Sequence, residues 1–144
     1  MGHSSSHWRP ERLLGNAARA HVAKRAQEFI EESYREAIRM EDLCRVTGFG
    51  ARALQRSFRE YFDLTITGYL KVVRLGAAHR ELAAAQPSKN SVAAIAHRNG
   101  FRHLGRFSVE FRERFGESPR DTLGRGLARS PQSRKSFDRS NSPK

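Results

Sequence analysis

Arg52, Gln55 and Arg56 stand at i, i+3 and i+4 in the stretch DLCRVTGFGARALQRSFREYF, residues 42–62. On a helix that spacing puts all three on one face. A guanidinium can bond bidentately to guanine in a major groove and a carboxamide to adenine, each good pair giving about 1–3 kcal/mol of discrimination. Leu54, Phe58 and Phe62 recur four apart on the same stretch and supply the opposite, apolar stripe that would hold such a face in place. Other chemistry finds no residues to carry it. Cys44 is the single cysteine, which excludes an internal disulfide, and it reads as a small apolar side chain. His97, His103 and Cys44 lack ligand spacing such as Cys-x-x-Cys or His-x-x-x-His, so no metal is expected. No glycine-rich phosphate loop, nucleophile elbow or paired carboxylates occur, so neither catalytic residues nor a cofactor are expected.

The stretch returns in altered form as AIAHRNGFRHLGRFSVEFRERF, residues 94–115. Leu43, Gly48 and Phe49 align with Ile95, Gly100 and Phe101 at an offset of 52. Leu54, Phe58, Arg59, Glu60 and Phe62 then align with Phe107, Phe111, Arg112, Glu113 and Phe115 at 53, one residue having been inserted in the second turn. Each copy has an apolar helix, a Gly-Phe turn and an aromatic-striped helix, the layout of a helix-turn-helix. A glycine after the first helix can take the left-handed conformation that starts a tight turn, and the phenylalanine would pin that turn to the core.

The copies differ on their polar faces. Opposite Arg52, Gln55 and Arg56 the second copy has Gly105, Ser108 and Val109. Glycine offers no side chain, serine bonds to several bases, and valine can only pack, for instance on a thymine methyl. Arg106 and His103 are the polar groups left near the start of that helix, with Arg102 expected at its cap. The expected base-reading set is therefore Arg52, Gln55 and Arg56, joined by Arg106, Ser108 and Val109, with most specificity in the first copy. The second is expected chiefly to add affinity through phosphates.

The elements that must position these groups are legible as apolar periodicities. Val22, Ala26, Phe29 and Ile30 predict a scaffold helix over 17–33, and Glu41 and Asp42 suit the first turn of a second helix ending at Thr47. A third runs over 51–61. Thr65 caps a fourth, about 66–85, whose stripe Ile66, Tyr69, Leu70, Val73 and Ala77 continues to Leu82 and Ala85. At 1.5 Å per residue it spans roughly 28 Å, comparable to a DNA turn of roughly 34–36 Å. Ser91 caps a fifth helix, 92–99, a sixth covers 103–114, and Ser118-Pro119 opens a short seventh. The sequence thus predicts an all-α, seven-helix domain over 17–124, with helix-turn-helix subdomains at about 40–62 and 92–115. Helix starts near Thr65, Ser91 and Ser118 are candidate phosphate contacts, as are Arg59, Lys71, Arg74, Arg102, His103 and Arg120. Arg74 is equally a candidate structural partner for a core acid. Phe49, Phe58, Phe62, Phe101, Phe107, Phe111 and Phe115 lie at helical spacing and predict core packing, not a base-stacking platform.

A net charge of +12 over 144 residues points to a polyanion as partner. Residues 125–144 carry six bases and one acid, leaving 19 bases and 13 acids in 17–124, so the expected folded part is itself basic. No run of 18 apolar residues and no secretory leader occur, which predicts a cytoplasmic protein. Residues 1–16 read as a flexible arm or linker remnant, and 125–144 as a disordered basic tail.

GFRHLGRFSVEFRERFGESPRDTL, residues 100–123, together with Leu54-Gln55-Arg56 followed by Phe58, resembles the DNA-binding domain of the AraC/XylS family of bacterial transcription regulators over roughly residues 20–124. HLGRFS with FGESP looks closest to the XylS-like branch, whose members often activate catabolic operons. The resemblance implies two helix-turn-helix subdomains joined by a long helix and double-stranded promoter DNA as partner. Recognition helices 51–61 and 103–114 would enter successive major grooves of an asymmetric site, RNA polymerase would be a further partner, and no enzymatic activity is implied. Many members also carry an N-terminal effector-binding and dimerisation domain, which this chain lacks; residues 1–16 read as the end of its linker, favouring a piece of a longer regulator over a naturally short one. Arg39 and Gly50 stand where the family commonly has a hydroxyl cap, a difference of about 0.5–1 kcal/mol per helix start. The competing reading is a basic helical RNA-binding or architectural protein without sequence preference. It accounts for the charge but not for the duplicated Gly-Phe turns.

Overall fold

The computed structural model describes residues 15–125. Of the expected arm only Gly15 and Asn16 fall within that range, and of the expected tail only Arg125; the rest of both lies outside the described residues. Seven helices and no strand occur among the described residues: α1 Asn16–Ser33, α2 Met40–Thr47, α3 Ala51–Phe62, α4 Ile66–Ala84, α5 Val92–Arg98, α6 Leu104–Phe115 and α7 Pro119–Thr122. The chain divides into two compact units, with the boundary between Val73 and Arg74 inside α4.

The first unit is built on Val22, Ala23, Ala26 and Ile30 of α1, Leu43 of α2, Leu54 and Phe58 of α3, and Ile66 at the start of α4. Phe49, Phe62 and Tyr69 pack against them. The Tyr69 ring lies 5.3 Å from Phe58 and 5.5 Å from Phe62, and its hydroxyl accepts from Gln27 Nε2 at 2.9 Å. Burial pushes the Tyr69 phenol above its ordinary value, which keeps it a neutral donor toward Glu31.

The second unit buries Leu75, Ala78 and Leu82 of α4, Ile95 and Ala96 of α5, and Phe107 and Phe111 of α6. Phe101 and Phe115 flank this cluster, and the His79 ring stacks on Phe115 at 4.3 Å. The phenylalanine set is therefore core in both units.

The repeat is longer than its helix-turn-helix part. At the same offset of 52, Ala23, Ala26 and Ile30 of α1 align with Leu75, Ala78 and Leu82 of α4, and all six are buried. Each unit is a three-helix module. Thr47 and Asn99 also align and do one job by different chemistry: the Thr47 hydroxyl donates to the Leu43 carbonyl at 2.8 Å, and Asn99 Nδ2 donates to the Ile95 carbonyl at 2.8 Å. Asn99 is fully buried and its Nδ2 also reaches Glu81 Oε1 at 2.9 Å, while Glu81 pairs with Arg98.

Gly48 and Gly100 take φ of 79° and 93°, the left-handed turn that their position after an apolar helix predicts. Thr65, Ser91 and Ser118 cap their helices by accepting from the backbone N–H of Gly68, Ala94 and Asp121 at 3.0, 3.1 and 3.1 Å. Gly50 gives α3 no side-chain cap, as expected. The expectation of a loose start at Arg39 is corrected: the Asp42 carboxylate accepts the Arg39 backbone N–H at 3.0 Å and takes Arg45 Nη2 at 2.9 Å. The Arg39 N–H, with help from Arg45, holds the Asp42 carboxyl below the usual carboxylate range. The second unit is closed from its C-terminal end. Gly124 N–H donates to the Leu82 carbonyl at 3.0 Å, and Arg125 bonds Glu117, which also accepts the Thr122 hydroxyl.

Gly124 has φ 81°, and a Cβ there would sit 2.5 Å from Pro87 Cγ. Gly124→Ala should lower the urea midpoint of the chain, a loss of about 1–3 kcal/mol. Asp42 contributes stability that is present above the ordinary carboxylate pKa and lost as pH falls through its depressed folded value. Asp42→Asn should accordingly lower the thermal midpoint at neutral pH, with the difference from wild type vanishing well below pH 3.8.

Candidate nucleic-acid interface

α3 turns Ala53, Leu54, Ser57 and Phe58 inward. That phase leaves Arg52, Gln55, Arg56 and Arg59 exposed on the opposite side. Among the described residues none of these four side chains makes a hydrogen bond or ion pair. The nearby acids are engaged elsewhere, Glu60 with Arg19 at 2.7 Å and Asp42 with Arg45. Three guanidinium groups and one carboxamide thus share a face with no carboxylate neutralising it, the electrostatic condition for meeting a polyanion.

α6 uses the same phase, with Phe107 and Phe111 fully buried, but presents a different surface. Leu104 and Ser108 form one i, i+4 row and Gly105 and Val109 the next; Leu104 is 45% and Val109 58% exposed. A Cβ at Gly105 would meet nothing within 4 Å. Arg112, exposed and aligned with Arg59, lies within this face. The expected position of Arg102 at the cap is corrected. His103 is the N-cap residue, without a side-chain cap bond, and exposed Arg102 precedes it. Arg106 is exposed with its Nε 3.6 Å from Glu110 Oε1. It aligns with buried Ala53, so it flanks the Gly105–Ser108–Val109 face instead of extending it.

The expected phosphate contacts fall into separate groups. The Thr65, Ser91 and Ser118 hydroxyls are all spent as helix caps, which leaves the first-turn N–H groups as the donors there. Lys71 and Arg120 are exposed, whereas Arg74 is half-buried in the place that Val22 holds in α1. Burial pushes the Arg74 pKa down, and the like charge of Arg102 pushes it further. Between α5 and the following turn an open cleft of about 400 Å³ is lined by Ala93, His97, Phe101, Arg102 and Leu104 among others. Arg52, Gln55, Arg56 and Arg59 share the exposed face expected from their spacing, and Arg112 and Leu104 are exposed on α6 without having been expected there. The alignment of Arg112 with Arg59 could have found the first. Leu104 carried no signal, because an apolar residue between Phe101 and Phe107 reads as core.

Among the described residues no group of three or more His, Cys, Asp or Glu side chains is placed to hold a metal ion, and no helix is long and apolar enough to cross a membrane.

A helix-turn-helix domain family model matches residues 43–125. XylDLEGF operon transcriptional activator 2 of Pseudomonas putida is 32% identical over 100 residues, covering 69% of this chain and 64% of that protein. A solved probable AraC family transcriptional regulator from Rhodopseudomonas palustris CGA009 is similar in structure, with a TM-score of 0.68 and 33% identity over 74% of this chain and 97% of that one. The DNA-binding domain of AdpA, a global transcriptional factor solved in complex with a target DNA, gives a TM-score of 0.65 and 26% identity over 76% and 96% of the two chains. The chain spans only 31% of the length of other curated relatives it matches, such as the probable thc operon regulatory protein of Rhodococcus erythropolis.

Proposed function

Because the chain belongs to the AraC family of DNA-binding transcription regulators, a family of regulators and not of enzymes, we propose that residues 17–124 form a DNA-reading domain that activates transcription from an asymmetric promoter site. The observation that carries this reading is the face of α3, where Arg52, Gln55, Arg56 and Arg59 stand exposed and without internal partners. In this reading α3 and α6 enter successive major grooves. Arg52, Gln55 and Arg56 read base edges, and Arg106, Ser108 and Val109 add a weaker second reading. Arg59, Thr65, Lys71, Arg74, Ser91, Arg102, His103, Ser118 and Arg120 hold the sugar–phosphate backbone. Burial and the charge of Arg102 lower the Arg74 pKa, and a phosphate held by both arginines would offset the repulsion between them.

Activation is supported by a relative named as an operon transcriptional activator. Contact with RNA polymerase, a cytoplasmic location, and control by an effector-binding segment outside this sequence belong to the same reading. The share of its relatives' length that the chain covers leaves room for such a segment. Non-specific binding of RNA or DNA is the alternative, and the unequal faces of α3 and α6 weigh against it, since a charge-only binder has no use for the difference.

Selection of bound duplexes from random DNA tests the reading. The chain should enrich a motif whose α3 half is the more informative; two equally informative halves would contradict the division of labour, and no enriched motif would contradict specific reading altogether. Arg56→Ala should relax preference at one position at a cost of about 1–3 kcal/mol. Arg59→Ala should weaken binding evenly across sequences and reduce the slope of log affinity against log salt by about one.

A further inference from the structure

The outward face of α6 lacks the long polar side chains that α3 carries at three of its positions. Ala51, Arg52, Gln55 and Arg56 correspond to Leu104, Gly105, Ser108 and Val109. Each long polar side chain has been replaced by glycine, serine or valine, while alanine has become leucine. Leu104 and Val109 are among four large hydrophobic residues that stand exposed in the described part of the chain. These two stand at the edges of the face that Gly105 and Ser108 occupy, and a ligand covering that face would take both out of water.

The surroundings say what kind of contact. Arg102 and Arg106 border the face and Arg112 lies within it, all three exposed, which favours a polyanion over a neutral or basic protein surface. The apolar group that a major groove presents is the thymine C5 methyl. Gly105, with open space where its Cβ would be, lets the helix backbone come close to the base edges with no side chain intervening.

We propose that α6 reads thymine methyl groups: Val109 packs on one, Leu104 on another, and Gly105 permits the approach. The inference rests on the double-stranded DNA reading above and names what its second half-site must contain.

The test starts from a duplex selected by the full chain, with thymines replaced one at a time by deoxyuridine. That change deletes the methyl and leaves every hydrogen-bonding group in place. Substitution at two thymines in the α6 half-site should each weaken binding about fourfold, the worth of one buried methyl. Deoxyuridine elsewhere in the site should have little effect. Val109→Ala should weaken binding to the thymine duplex and abolish sensitivity at one of the two positions, and Leu104→Ala at the other. Both side chains are exposed, and circular dichroism would verify that the variants keep their helices.

Unchanged affinity on deoxyuridine substitution throughout the α6 half-site would overturn the proposal. So would full sensitivity retained by a Val109→Ala, Leu104→Ala double variant. If Val109→Ala abolishes promoter activation in cells while binding ignores the methyl groups, the face serves a protein partner and the proposal is overturned in that way. Failure of the underlying DNA reading would look different, since no duplex would then be selected at all.

Discussion

Full burial of Phe58 in one unit and Phe111 in the other sets the rotational phase of the two outward-facing helices. Each ring contributes about 1.5–3 kcal/mol by leaving water, and each sits in an aromatic ladder, Phe58 on Phe62 at 4.7 Å and Phe111 on Phe115 at 4.7 Å. Turning α3 by a single residue, about 100°, would carry the inner stripe toward solvent and push a guanidinium toward the core. The exposure of Arg52, Gln55 and Arg56 is therefore enforced from the apolar side. No polar contact within the unit is needed to aim them, and none among the described residues exists for Arg52, Gln55, Arg56 or Arg59.

That separation of duties explains how two copies of one module can keep a fold and part company on the surface. Inward positions must fill a close-packed space, so substitutions there stay apolar: Ala23 with Leu75, Ile30 with Leu82, Leu54 with Phe107. Outward positions answer only to solvent or to a ligand, and there arginine has given way to glycine and valine. The partial exceptions are informative. Arg74 occupies the place of buried Val22, and Glu81 the place of Phe29, so the second unit carries charge in its scaffold helix where the first carries hydrocarbon. Glu81 is satisfied by Asn99 and Arg98, which are themselves substitutions for Thr47 and Val46. The polar replacements come as a set, because the half-buried Glu81 and the buried Asn99 amide are better tolerated when they bond each other.

Helix number, helix bounds, the two Gly-Phe turns and the exposed polar face of α3 were legible in the sequence because each is a local pattern of period 3.6 or a local backbone requirement. What escaped is long-range or chemically disguised. The kinship of α1 and α4 was hidden because Val22 and Arg74, or Phe29 and Glu81, share a position without sharing a chemistry. The closure of the second unit by Gly124 against Pro87 and the Leu82 carbonyl joins residues far apart in the chain, and no local spacing announces it. At Arg39 the missing cap was visible but its replacement was not, since Asp42 acts backward on the preceding N–H. Arg106 is next to Ser108 and Val109 in the chain, and only its alignment with buried Ala53 shows that it stands on the flank of their face.

The charge itself is distributed by two different rules. In the first unit the unpartnered cations stand on the helix that faces outward from the core, where their geometry as well as their sign can be used. In the second unit Arg74 and Arg102 lie near enough for the charge of Arg102 to lower the Arg74 pKa, and Arg74 is half-buried besides. Valine occupies the corresponding place in α1, so the position itself does not demand a charge. The outward face of α6 carries Gly105, Ser108 and Val109 where α3 carries Arg52, Gln55 and Arg56, so the two units distribute charge and side-chain shape differently. The same kind of helical module thus carries two different outward faces, because the aromatic core that both copies share fixes only the inward one.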